Sequence, residues 1–155
     1  MTFAEELMLI LEKEMNILVE LKELSFRKTD IIIDNLINDL EELTRKEEIL
    51  INKIGTLEEE REKLLDTWGL AVNTSISSII EKLPEDNEEL IAITDKMHNI
   101  MEELSFRNKL NNDIIRENLD WIDFNMNLIT SAHMEPGYGN ESKKSSRNNI
   151  FDRKV

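Results

Sequence analysis

Leucines recur every seven residues through the middle of the chain, at Leu36, Leu43, Leu50, Leu57 and Leu64. A second row follows four residues behind each, at Leu40, Glu47, Ile54, Arg61 and Trp68. Alternating steps of four and three put both rows on one face of a helix, so this is an a/d seam sustained over about four heptads. It predicts a helix from about Asp39 to Trp68-Gly69, roughly 45 Å long at the rise of an α-helix. Such a stripe must be covered by another helix, from the same chain or from a partner. The preceding stretch supplies one. From Phe3, the positions Leu7, Leu11, Leu18, Leu21 and Leu24 form an apolar stripe that Ile10, Met15 and Ile17 widen. That helix is expected to reach about Ile37. The break falls at Asn38-Asp39, where asparagine tolerates a left-handed position and Asp39 with Glu42 makes an acidic variant of the capping box. A continuous helix is the rival reading, because the leucine rows cross this point in phase.

Beyond Gly69 the pattern shortens. Asn73-Thr74-Ser75 offers a cap for a short third helix through Ile76, Ile79, Ile80 and Leu83. Pro84 ends it, since proline drives the residue before it out of the helical region. A fourth helix is predicted from about Glu88 to Ala132. Its first part carries Ile93, Met97, Ile100 and Leu104 at seam spacing. In its second part Asn108, Asn111, Asn112, Asn118, Asn125 and Asn127 interrupt the apolar positions Ile114, Ile115, Leu119, Ile122, Met126 and Ile129. Asparagine near a seam costs stability and fixes register. A polar-interrupted stripe suits a surface that exchanges partners; the plainer reading is an ordinary bundle helix that tolerates its asparagines. The fold class is therefore all-α, a long antiparallel helical hairpin or bundle of about four helices with coiled-coil-like packing.

Composition narrows the class. Only 4 Gly and 2 Pro interrupt 155 residues, 34% are charged and 5% aromatic, which fits long helices, an aliphatic core and a wet exterior. The formal net charge is -14 at pH 7. It is concentrated in the first 133 residues, because Lys143, Lys144, Arg147, Arg153 and Lys154 outnumber the acids after His133. A body this acidic repels nucleic acid and anionic lipid. From Glu135 the sequence turns to Pro, Gly, Ser, Asn and Lys, so 1–133 reads as a helical bundle and 134–155 as a flexible polar tail. There is no cysteine, hence no disulfide, thiol nucleophile or cysteine zinc site. No apolar run approaches the roughly 20 residues of a membrane span. The acidic start at Glu5-Glu6 is unlike a signal peptide. A soluble, cytoplasmic protein is expected.

Candidates for chemistry are thin. Asp95 and His98 have the carboxylate-x-x-histidine spacing of di-metal bundles, and Glu102 shares their face. The motif occurs once rather than twice, so an exposed histidine in a charged helix is the better reading. No phosphate loop and no nucleophile–histidine set can be assembled. The chain is expected not to be an enzyme and to need no cofactor. Glu47 and Arg61 lie on the seam and require pairing across the hairpin or a route to water. Trp68 and Trp121 read as core anchors before binding residues. The pentapeptide Glu23-Leu24-Ser25-Phe26-Arg27 recurs as Glu103-Leu104-Ser105-Phe106-Arg107; similar packing demand accounts for it better than duplication.

The segment from Glu47-Glu48 through Ile54, Leu57-Glu58-Glu59-Glu60-Arg61 and Leu64-Leu65 resembles the centre of the FlgN-like flagellar export chaperones. A second likeness runs from Asn108 through Asn118-Leu119 to Trp121-Ile122-Asp123-Phe124-Asn125-Met126-Asn127-Leu128-Ile129-Thr130. A third lies in the tail, at Tyr138-Gly139 and Phe151-Asp152-Arg153-Lys154. The resemblance implies a bacterial cytoplasmic chaperone that holds the amphipathic ends of hook-associated proteins and delivers them to the flagellar export gate. It implies client binding by the late helix and the C-terminal region. The positions carried over are Ile114, Ile115, Leu119, Ile122, Met126 and Ile129 as a stripe, with Trp121 and Phe124 as aromatic contacts. Helix-in-groove recognition would supply the binding. The residues alone leave other readings open: a homodimeric coiled-coil adaptor that shares the leucine seam between chains, and an acidic mimic of nucleic acid. A monomer or weak dimer is expected for the chaperone.

Overall fold

The computed structural model describes residues 1–83 and 87–131. Four α-helices and no strand occur among them: α1 (Phe3–Ile33), α2 (Ile37–Thr67), α3 (Ile76–Lys82) and α4 (Glu88–Ser131). The chain divides into two compact units, Met1–Asn111 and Asn112–Val155. The tail expected from 134 onward lies outside the described residues.

In the first unit α1 opens with a capping box. The Glu5 N–H donates to Thr2 Oγ1, and the Glu5 carboxylate accepts from the Thr2 N–H at 2.9 Å. Two donors at the helix start, which the helix itself leaves unpaired, are thereby satisfied. α1 ends earlier than the leucine phase suggests. Asn35 stands at φ 55°, the left-handed region. The Leu36 N–H bonds to the Ile31 carbonyl at 3.1 Å and the Asn35 N–H to that of Ile32 at 3.2 Å. This is a Schellman turn, so the break lies at Asp34-Asn35-Leu36 and not at Asn38-Asp39. Asparagine does serve as the left-handed residue, but it is the earlier one. Asn38 and Asp39 fall in the first turn of α2, and Leu36, nominally the first seam residue, is exposed in the turn.

From that turn α2 runs back along α1. The antiparallel order is set by Lys28 with Glu47 and Glu14 with Arg61, whose numbers rise on one helix as they fall on the other. Leu43, Leu50, Leu57 and Leu64 are buried, and Leu40, Glu47, Ile54 and Arg61 in the second row are half-buried. The seam therefore closes within the chain. α2 stops in a second Schellman turn, with Gly69 at φ 74°, a conformation that glycine adopts without strain. Ser75 caps α3 through the Ser78 N–H, and α3 ends at Lys82, with Leu83 already extended before Pro84. Ile79 of α3 joins Phe3, Leu7, Ile10, Leu11, Leu64 and Leu65, which pack with Leu90, Ile93 and Met97 of α4 in the larger core cluster. A smaller cluster of Leu24, Leu43 and Leu50 fills the hairpin towards its turn.

Within this unit α4 runs parallel to α1. Lys22 pairs with Glu103, the Arg107 guanidinium lies 3.8 Å above the Phe26 ring, and Thr29 bonds to Asn111, all in ascending order on both helices. The repeated pentapeptides thus stand at nearly the same level of two parallel helices. Asn111, 1% exposed, fixes that alignment. Its side-chain amide donates to the Ser25 carbonyl at 2.9 Å, and its oxygen accepts from the Thr29 hydroxyl at 2.5 Å. A buried asparagine with both ends satisfied holds a register that leucines alone would leave free to slide.

The described part of the second unit is the helical stretch 112–131 of α4.

Candidate functional site

The eight positions singled out for partner binding all lie on residues 114–129 of α4. Ile114, Ile115 and Leu119 are half-buried. Trp121 is 67% exposed, Ile122 49% and Ile129 64%, and Phe124 and Met126 are also exposed. Leu128, which the sequence reading passed over, is exposed as well. Its spacing from Trp121 and Phe124, seven and four residues, was the signal that could have included it. Residues 121–129 therefore present six large apolar side chains to solvent in nine positions. An amphipathic helix of an ordinary bundle turns such residues inward.

The rows they form are distinct. Ile122, Met126 and Ile129 follow one another at steps of four and three, and Trp121, Phe124 and Leu128 at steps of three and four. Asn125 lies between the rows, its amide donating to the Trp121 carbonyl one turn back at 2.8 Å. The asparagines that looked like interruptions of one stripe thus include a divider between two. The opposite flank carries Arg116, Asp120, Asp123 and Asn127. Four carboxylates, Asp113, Glu117, Asp120 and Asp123, stand against Arg116 in this stretch.

Neither tryptophan is a core anchor. Trp68 meets Phe3 edge-on, with ring centroids 5.5 Å apart, but half of it remains exposed. For Trp68 position explains this, since it caps the end of α2, where the hairpin has run out of partner helix.

The charged seam residues have structural partners. Lys28 Nζ donates to Glu47 Oε2 at 3.2 Å across the hairpin. Arg61 Nε approaches Glu14 Oε1 only to 3.9 Å, and that oxygen has no hydrogen-bond partner among the described residues. Burial pushes the Glu14 carboxyl above its ordinary value of 4.5; Arg61 opposes the shift and Glu58 adds to it. Asp95, His98 and Glu102 are all exposed, and no group of three metal-ligating side chains occurs among the described residues. No helix among them is long and apolar enough to cross a membrane.

The described residues define an all-helical protein built on a helical hairpin, with a run of exposed apolar side chains on residues 121–129 of α4. The family model described as FlgN protein matches residues 1–146, and the chain belongs to that family. Membership assigns it a general role as a flagellar export chaperone, in a family of chaperones and not of enzymes. It is also similar to the uncharacterized protein YvyG of Bacillus subtilis (strain 168), with 26% identity over 138 residues, 85% of this chain and 86% of that protein. No solved structure matches it significantly.

Proposed function

We propose that this protein is a cytoplasmic chaperone that binds the amphipathic helical ends of flagellar hook-associated proteins and brings them to the export gate. The observation that carries the reading is the run of exposed apolar side chains on residues 121–129 of α4. A client end with an apolar stripe would self-associate in the cytoplasm. Laying that stripe on Ile122, Met126 and Ile129, or on Trp121 and Phe124, removes both surfaces from water. Ile114, Ile115 and Leu119 extend the surface towards the first unit's sequence boundary. Ordering the client costs conformational entropy, which keeps the complex reversible enough for handover. The reading requires no cofactor, nucleotide or catalytic group.

The test is Ile122→Asp in the full chain. Exposure at this site lets the carboxylate remain in water, so circular dichroism is expected to stay unchanged while co-purification of a purified hook-associated protein is lost. Unchanged binding rejects the site, and lost helicity marks Ile122 as structural. The homodimeric coiled-coil reading lacks support of this kind, because Leu43, Leu50, Leu57 and Leu64 are already covered within one chain.

A further inference from the structure

The exposed stretch of α4 has two apolar faces rather than one. At about 100° per residue, Ile122, Met126 and Ile129 centre on one direction and Trp121, Phe124 and Leu128 on another about 130° away. A single helix laid against α4 covers a stripe of about 100°. It can bury one row and must leave the other in water. The divider reinforces this. Asn125 sits between the rows with its amide turned back onto the Trp121 carbonyl, so the helix surface there is polar but already bonded to itself. The far flank, with Asp120, Asp123 and Asn127, closes the second gap with acidic and polar groups.

Building on the proposed client-binding role, we infer that residues 121–129 are gripped by two amphipathic helices of one client chain, a helical hairpin that straddles α4. One arm covers the aliphatic row and the other the aromatic row. The arms carry Lys or Arg along their edges, which complement the acidic composition of residues 112–131. Charge selects this occupant over a second copy of the chain. Residues 112–131 bear four carboxylates and one arginine, in a protein of net charge -14, so two such segments repel and a basic-edged hairpin is attracted. Connection of the two arms in one chain makes the second contact intramolecular and raises affinity without new surface.

The nearby positions Met126 and Leu128, on opposite rows, allow a direct test. Each is replaced in turn, in the full chain, by the photoreactive residue p-benzoylphenylalanine. The protein is mixed with a purified hook-associated protein, irradiated, and the adducts are mapped by mass spectrometry, with the mass of the complex taken by light scattering. The inference expects a one-to-one complex in which position 126 attaches to one client segment and position 128 to a different segment of that same client. Leu128→Asp is expected to weaken binding at least tenfold, as Ile122→Asp does, and affinity is expected to fall as salt rises. Adducts from both positions to one segment show a single helix and overturn the inference while leaving the client-binding role intact. So do adducts from position 128 to a second copy of this chain or to its own residues, a complex with two clients, or an affinity indifferent to salt. Adducts from neither position overturn the client-binding role itself.

Discussion

The carboxylate of Glu14 occupies a site where a hairpin normally places an aliphatic residue. It is 5% exposed, its Oε1 is unbonded, and its nearest counter-charge is 3.9 Å away. A buried charge so loosely paired is a cost to the folded state. Because the folded carboxyl titrates above 4.5, the native chain binds more protons than the unfolded one between 4.5 and the raised value, so stability from this group falls as pH rises through that window. Glu14→Gln is therefore expected to stabilise the protein by about 1 kcal/mol at pH 7, the advantage shrinking as pH drops to 4.5. Urea denaturation at the two pH values measures it; an equal difference at both rejects the account. Asn111 is the opposite case, a buried polar group fully used. Asn111→Ala strips the Ser25 carbonyl and Thr29 hydroxyl of that partner and is expected to cost about 2 kcal/mol by urea denaturation. A loss near zero would show that this contact does not hold α4 in register.

The elements follow the period of their apolar residues closely. α2 is read almost residue for residue from its leucines, because a stripe repeated over about four heptads leaves one helix face and one phase. Leu50 is 7% exposed, while Ile51, its neighbour in sequence, points to solvent. Leu50→Ala is accordingly expected to cost about 3 kcal/mol, and Ile51→Ala no more than about 0.5 kcal/mol. Comparable losses at both would mean that the seam is not where the helix phase puts it. The boundary between α1 and α2 was less legible. Asp34-Asn35 and Asn38-Asp39 offer the same turn chemistry four residues apart, and local propensity cannot choose between them. The choice falls to the pairing of the two helices, which buries Leu43, Leu50, Leu57 and Leu64 and brings Lys28 to Glu47.

At the scale of the molecule, the hairpin hides the surface that a coiled-coil dimer would share. With Leu43, Leu50, Leu57 and Leu64 covered by α1, the free protein is expected to scatter light with the mass of one chain, unchanged over a hundredfold range of concentration. A mass that doubles with concentration would restore the adaptor reading. The stretch 121–129 carries six exposed large apolar side chains, so association is expected to depend on a client rather than on a second copy.

The sequence by itself determined the helical class, the seam, the C-terminal end of α2, the ends of α3 and α4 and the stretch that bears the exposed apolar residues. These are properties of period, capping and composition, which act over a few turns and are written in neighbouring residues. Its resemblance to the FlgN-like chaperones was carried by the order of those same segments, and the family match over residues 1–146 bears it out. Only the tertiary structure decided which of two asparagine sites turns the hairpin, that α4 runs parallel to α1 with Asn111 as its register contact, and that Trp68 and Trp121 face water. Each of these depends on which surface lies opposite a residue once the chain has folded back. An apolar side chain has the same period whether its face meets a neighbouring helix or solvent, so burial is decided by the arrangement of the helices and not by the residues along any one of them.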